Sequence, residues 1–431
     1  PRLNLSVKIS ALTPDVHPAD PENSISALKK RLRPILRRAI EANALINFDM
    51  ESYKLKELTL ALFKSIFEES EFRTQPAIGI ALQAYLRDSE RDLLDLINWA
   101  RRNQRPLNVR LVKGAYWDYE TIIAQQKDWT VPVWSKKPES DANFEKLTLI
   151  LLENIDIITP NFASHNVRSC AHAIVQAERL GIDPRAYEFQ ALYGMADELK
   201  LTLIKLGHRV REYCAIGELL PGMAYLVRRL LENTSNEGFL RIKNMGESTK
   251  EGLLANPVNQ IASAPAPMER KSRAAGTFIN AANTDYSVTV NRERQREALS
   301  AYTAKLGRKF PLVINGQKIS DREYIASVNP AHPTQIIGSW ARATIADADA
   351  AVTAARAALP AWQKKTVAER ATVLERAGDI MESKRMELNS LLILEAGKPW
   401  VEADGDVSEA IDFCRFYAVE MRKLDQTTIT Q

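Results

Sequence analysis

Within residues 107–118, LNVRLVKGAYWD, two cations, a glycine and two aromatic rings occur in one short run. Leu107, Val109, Leu111 and Val112 give its first half the apolar texture of a strand, and nothing before Gly114 breaks an extended chain. Arg110 and Lys113 interrupt that texture. A strand buried on both faces cannot hold cations without partners. The glycine then permits close backbone approach, and Tyr116 and Trp117 follow as large amphipathic rings. Such a set at the end of a strand fits a large, planar, partly anionic ligand. A strand with a surface salt bridge is the competing reading, and the glycine and aromatics directly after two cations favour the ligand.

A second candidate lies within residues 221–233. Met223, Leu226, Val227, Leu230 and Leu231 make this segment apolar over most of a helical surface, while Arg228 and Arg229 are adjacent and point about 100° apart. Two neighbouring guanidiniums on an apolar helix suit capture of a carboxylate by planar forks. One arginine paired with Glu232 and the other in solvent is an equally good account of the same residues.

The elements that must position these groups alternate along the chain. Strand patterns at 3–12, 44–49, 76–85, 107–112, 157–165, 186–192 and 208–217 are each followed by a helical pattern. Alternation of this kind means an α/β protein with a parallel sheet and covering helices. A TIM-type (β/α)8 barrel places chemistry at the C-terminal ends of its strands, where Lys8, Asp49, Gln83, Arg110, His165 and Tyr213 fall. An open doubly wound sheet should carry a glycine-rich turn after its first strand, and SALTPDVHP is not one. Seven units are one short of a closed barrel, so the first strand is expected to be missing, its place lying before Pro1. The barrel is expected over 1–245, a linker or arm rich in Ala, Pro and Ser over 246–308, and a second domain over 309–431. That domain opens with a hairpin at Asn315-Gly316 and continues as two short strands over 324–339. Helices follow at about 345–358, 366–384, 385–397 and 400–423.

Composition narrows the function classes. Apolar content of 45% and charged content of 26% are ordinary for a globular protein, and a formal charge of +4 over 431 residues does not imply nucleic acid. The basic run KKRLRPILRR carries Leu32, Ile35 and Leu36 on one side and reads as the solvated face of a helix. Cys170, Cys214 and Cys414 have no paired spacing, which favours a reducing compartment and argues against a metal site. Cys414 sits in a helix between Phe413 and Arg415 and reads as packing. No apolar run reaches membrane-spanning length. The abrupt start at Pro1 and the polar tail LDQTTITQ read as a piece of something longer.

Taken together, RLVKGAYWD, QAY at 83–85, EFQALYGM at 188–195 and YLVRRLLENTSN at 225–236 resemble the proline dehydrogenase domain of the proline utilization A family of bacterial bifunctional flavoenzymes. Residues 310–423, with SVNPAHP, ADADAAVTAARAALPAW and EAGKPWVEADGDVSEAIDFCRFYA, resemble the start of that family's aldehyde dehydrogenase module. The resemblance implies FAD-dependent oxidation of L-proline to 1-pyrroline-5-carboxylate, with electrons passed to a quinone at a membrane surface. It implies a cytoplasmic protein, peripheral on the inner membrane's cytoplasmic face, and leaves homo-oligomerisation of the longer protein open. NAD-dependent oxidation of the semialdehyde would belong to a part of the module beyond Gln431.

Site roles follow from the same resemblance. Gln83, Arg110, Val112, Lys113, Gly114, Ala115, Trp117, Ser164, His165, Gln190 and Glu232 would contact FAD, with Arg110 at the reactive nitrogen. Lys8, Arg228 and Arg229 would clamp the proline carboxylate. Asp49 would orient an arginine and balance charge, and Tyr116, Leu192, Tyr213 and Tyr225 would pack the pyrrolidine ring.

Overall fold

In the computed structural model the described residues are 3–74, 77–218, 254–261 and 277–426, together with Leu220, Gly222, Met223, Tyr225 and Val227. They divide into two compact units, residues 1–126 with 130–268, and residues 127–129 with 269–431.

The first unit is built on seven parallel strands: β1 Asn4–Val7, β2 Leu45–Phe48, β3 Ala77–Gln83, β4 Leu107–Val112, β5 Ile158–Ala163, β6 Glu188–Leu192 and β7 Arg209–Tyr213. Their spatial order is their chain order, β1 to β7, without a crossover. Right-handed βαβ connections repeated without reversal put every helix on the same face, and the sheet curls around the other. The result is a half-barrel of the TIM type, with β1 and β7 as its edges among the described residues.

Period-two alternation decides what each face carries. Ile46, Phe48, Ile80, Val109, Leu111, Phe162 and Phe189 belong to one continuous buried cluster. It also holds Leu28, Leu32 and Leu36 of α1 (Pro21–Glu41), Leu62, Phe63 and Ile66 of α2 (Tyr53–Phe67), and Leu93 and Leu96 of α3 (Ser89–Arg102). Phe48 and Phe63 meet edge to face with centroids 5.3 Å apart. The alternate residues form rows across the sheet: Ser6, Asn47, Gly79 and Asn108 in one, Ala81, Arg110, Asn161 and Glu188 in the next. Gly79 is required in its row, since a Cβ there would lie 2.7 Å from Asn47 Oδ1 and 3.1 Å from Asn108 Cβ. The inner face is therefore polar, and the apolar core lies between sheet and helices.

The basic run of α1 forms a solvated helix face, with Lys30, Arg31, Arg37 and Arg38 exposed. Asp20 caps the helix by accepting from Asn23 N–H, Leu28, Leu32 and Leu36 are buried, and Arg33 and Lys29 both reach Glu69 at 3.0 Å. Arg37 pairs with Glu71.

The second unit holds strands Tyr324–Asn329 and His332–Ala341, the hairpin Leu312–Ile314 with Gln317–Ile319, and helices Ile345–Gln363, Val367–Ser383, Arg385–Ala396 and Trp400–Gln426. The stretch 246–308, expected as a linker or arm, contains a 15-residue helix, Thr289–Thr303. Its sequence hides it because the helix buries polar residues. Gln295 is fully buried, its amide donates to Ser390 Oγ at 3.1 Å, and its oxygen accepts from Tyr286 and Asn389. Among the described residues no helix is long and apolar enough to cross a membrane.

Candidate active site

A cavity of about 300 Å³ opens at the C-terminal ends of the seven strands. Each strand delivers its last inward residue there: Gln83 from β3, Val112 from β4, Ala163 from β5, Leu192 from β6 and Tyr213 from β7, with Lys8 and Asp49 just past β1 and β2. Lys113, Gly114, Ala115, Tyr116, Ser164, His165, Gln190 and Tyr225 complete most of the wall. The sequence-predicted residues thus converge, with two groups of exceptions. Arg228, Arg229 and Glu232 lie outside the described residues. Trp117 begins α4 (Trp117–Gln126), 40% exposed, and its indole N–H donates to Trp134 O at 2.7 Å, so it does not line the cavity. Lys113 was expected inside the strand, whereas β4 ends at Val112 and Lys113 follows it.

Arg110 is the centre of the site. Its Nε donates to Gln190 Oε1 at 2.6 Å, Nη1 to Asp49 Oδ1 at 2.5 Å and Nη2 to Ser6 Oγ at 3.0 Å. The guanidinium also lies 5.3 Å from the Tyr213 ring centroid, whose hydroxyl donates to the other Asp49 oxygen at 2.9 Å. Five N–H donors are available to an arginine, so two point beyond these three partners. Burial, and then the Asp49 charge, push the Tyr213 phenol well above its ordinary value, so it stays a donor. Tyr225 stacks on Tyr213 with centroids 6.0 Å apart.

The charges of the wall nearly cancel. Arg110 is matched by Asp49, and Lys113 by Asp141 of α5 (Lys137–Glu153). Burial lowers the Lys113 ammonium against the pull of Asp141. Lys8 has no ion pair among the described residues, which leaves the lining one positive charge in excess. His165 Nε2 accepts from Leu192 N–H at 3.0 Å, which places the ring proton of the neutral imidazole on Nδ1. Gln83 donates from Nε2 to Glu51 O at 3.1 Å, and its buried Oε1 has no partner among the described residues.

Several contributors escaped the sequence reading. Ser6, Ala81 and Glu188 stand two residues before Lys8, Gln83 and Gln190, so the period-two rule was enough to nominate them. Met50 and Ala163 line the cavity as apolar neighbours of predicted residues. Asp141 comes from a helix far along the chain and carried no local signal.

A barrel whose strand ends converge on such a cavity matches what the comparisons find. The proline dehydrogenase family model matches residues 1–242, and the chain belongs to that family. The aldehyde dehydrogenase family model matches residues 317–431. Over 97% of its length the chain is 32% identical to the bifunctional protein PutA of Klebsiella aerogenes, of which it spans 33%. It is 44% identical to the solved structure of proline utilization A from Bdellovibrio bacteriovorus inactivated by N-propargylglycine, with a TM-score of 0.92 over 98% of this chain and 44% of that one. Over 33% of its length the chain is 43% identical to the 1-pyrroline-5-carboxylate dehydrogenase of Bacillus pumilus, covering 27% of that protein. The chain therefore spans about a third of the curated relatives it matches along its length.

Proposed function

We propose that residues 1–245 bind FAD and oxidise L-proline to 1-pyrroline-5-carboxylate, passing the electrons to a quinone at a membrane surface. The observation that carries this reading is Arg110, a guanidinium held by three partners among the described residues at the wall of a strand-end cavity. A flavin fits the residues present. The unpartnered Gln83 Oε1 asks for an N–H donor such as the imide of the flavin pyrimidine, and its orientation is fixed by Glu51. When bound, FAD supplies the two-electron acceptor for the hydride lost from C5 of proline.

Every other role falls to side chains of this chain. Lys8, which has no ion pair among the described residues, would bind the proline carboxylate together with Arg228 and Arg229. Asp49 holds Arg110 and Tyr213 at fixed positions, so neither needs to reorganise when substrate enters. Leu192, Tyr116, Tyr213 and Tyr225 give the pyrrolidine ring an apolar wall and exclude water from C5. Lys113, Gly114 and Ala115 would contact the flavin and its ribityl-phosphate chain, and Ser164 and His165 would also contact the cofactor. The amine must enter unprotonated, so its nitrogen lone pair assists departure of the hydride. Addition of water across the C=N bond of 1-pyrroline-5-carboxylate opens the ring to the semialdehyde, which a complete second module would oxidise to glutamate with NAD.

The test is an anaerobic absorbance spectrum of the purified chain reconstituted with FAD. The expected result is a bound-flavin spectrum that bleaches on adding L-proline but not pyrrolidine, which lacks the carboxylate. Failure to bind flavin, or bleaching by both compounds alike, would overturn the reading.

A further inference from the structure

Beneath the cavity, Glu188 occupies the inner face of β6 and is buried. Its Oε1 accepts from Gln190 Nε2 at 2.6 Å and from Arg211 Nε at 2.8 Å, and Oε2 accepts from Arg211 Nη2 at 3.1 Å. Gln190 then presents its oxygen to Arg110 Nε at 2.6 Å. The amide of Gln190 therefore lies between a carboxylate and a guanidinium. Flipped, it would face oxygen to carboxylate and N–H to guanidinium, two repulsive contacts in a buried setting. The carboxylate of Glu188 thus sets the polarity of the amide, and the amide sets the plane of Arg110.

We infer that Glu188 is a positioning residue, which acts through Gln190 to hold the Arg110 guanidinium against the electron acceptor. This rests on the proposed flavin site, and it adds a residue that touches neither substrate nor cofactor. Glu188→Gln keeps the shape and an acceptor oxygen but removes the charge that forbids the flip. Arg110 then loses the fixed acceptor at Nε and samples more than one orientation.

The experiment is a double-mutant cycle of Glu188→Gln and Gln190→Met on the FAD-loaded chain. It reads single-turnover flavin reduction, flavin midpoint potential and proline affinity. Glu188→Gln should slow reduction about tenfold and shift the potential, while proline affinity changes by less than about twofold. In the Gln190→Met background, the same substitution should have no further effect on rate or potential. An undiminished effect in that background would show that Glu188 acts through Arg211 and overturn the inference. So would a variant that loses only thermal stability and flavin content while its loaded fraction keeps wild-type rate and potential. A readout free of flavin covers failure of the site reading itself. In 15N-arginine-labelled apoprotein, the Arg110 Nε–H signal, assigned by its loss in Arg110→Met, should exchange slowly in wild type and in Asp49→Asn. It should exchange faster in Glu188→Gln. Equal exchange in wild type and Glu188→Gln would overturn the positioning role whether or not flavin binds, and Gln190→Met supplies the same comparison if Glu188→Gln does not fold.

Discussion

Arg110→Met separates what the arginine does for the fold from what it does for the chemistry. Methionine keeps a flexible stem but deletes the contacts to Gln190, Asp49 and Ser6 at 2.6, 2.5 and 3.0 Å. Asp49 is then left buried with the Tyr213 hydroxyl at 2.9 Å and a long 3.4 Å contact from Asn47. Breaking one half of a buried pair costs about 3–5 kcal/mol. At about 2–4 °C per kcal/mol for a domain of this size, the barrel's unfolding midpoint should drop by roughly 6–20 °C. Flavin reduction by proline should slow at least about tenfold, because a loss of only about 1.4 kcal/mol of transition-state stabilisation has that effect. Adding Asp49→Asn removes the stranded carboxylate, so calorimetry should show most of the stability restored. Stopped-flow reduction should stay slow in the double variant, since the guanidinium at the cavity wall is still gone. A double variant that regains both stability and rate would refute the chemical role, and so would Arg110→Met with wild-type reduction kinetics.

Other substitutions probe the surrounding wall. Lys8→Met should weaken binding of tetrahydrofuran-2-carboxylate, a carboxylate without an oxidisable amine, by about tenfold in flavin difference titrations. It should leave the melting temperature unchanged, because Lys8 makes no ion pair among the described residues. Gly114→Ala should lower the melting temperature measurably, since φ is +132° there and a Cβ would lie 2.5 Å from the Tyr85 ring. Iodoacetamide at pH 8 should label exposed Cys214 within minutes and leave Cys170 unlabelled until urea is added, because burial pushes the Cys170 thiol up to about 12. Burial alone would raise the Asp141 carboxyl, but Lys113 and Lys137 hold it below the usual carboxylate range. Its stabilisation is therefore present above the unfolded value of about 3.9 and is lost as pH falls through the lower folded value. Asp141→Asn should lower stability at neutral pH and flatten its decline below about pH 4 in acid titrations followed by circular dichroism.

How far the site was legible depended on where each partner sat in the chain. Arg110 was visible because it shares one short run with a second cation, a glycine and two aromatic rings, a set that a surface salt bridge alone does not explain, and the strand-end rule drew in Asp49, Gln83 and Tyr213. The same rule could not tell which side of a short loop faces the cavity. Tyr116 lines it and Trp117, one residue on, turns instead to Trp134. Nor could it find Asp141, whose approach to Lys113 depends on how α5 lies across the sheet. In the second unit, Asn315-Gly316 announced its turn, Asn315 and Gly316 both having positive φ. The helix Thr289–Thr303 stayed hidden because its buried face is mixed: Arg292 and Gln295 are held by hydrogen bonds, and only Leu299 and Tyr302 near its end pack in an apolar cluster, which leaves no apolar period to count.

The division of labour between the two faces of the sheet explains why this fold can hold such a site. Barrels of this kind usually fill their interior with branched apolar side chains. Here the buried apolar residues of the strands pack outward against the helices, and the inner rows carry Ser6, Asn47, Arg110, Asn161, Glu188 and Gln190. Stability therefore resides in a layer that never touches the ligand. The inner face is free to be polar provided each charge is matched, as Arg110 is by Asp49 and Glu188 by Arg211. A matched network is rigid because every member fixes its neighbour, and an arginine held on three sides needs no reorganisation when charge develops in front of it. The same matching makes the network intolerant of single changes. Changing Arg110 or Arg211 alone leaves the buried carboxylate of Asp49 or Glu188 without its cation, so paired substitutions are the informative ones in this interior.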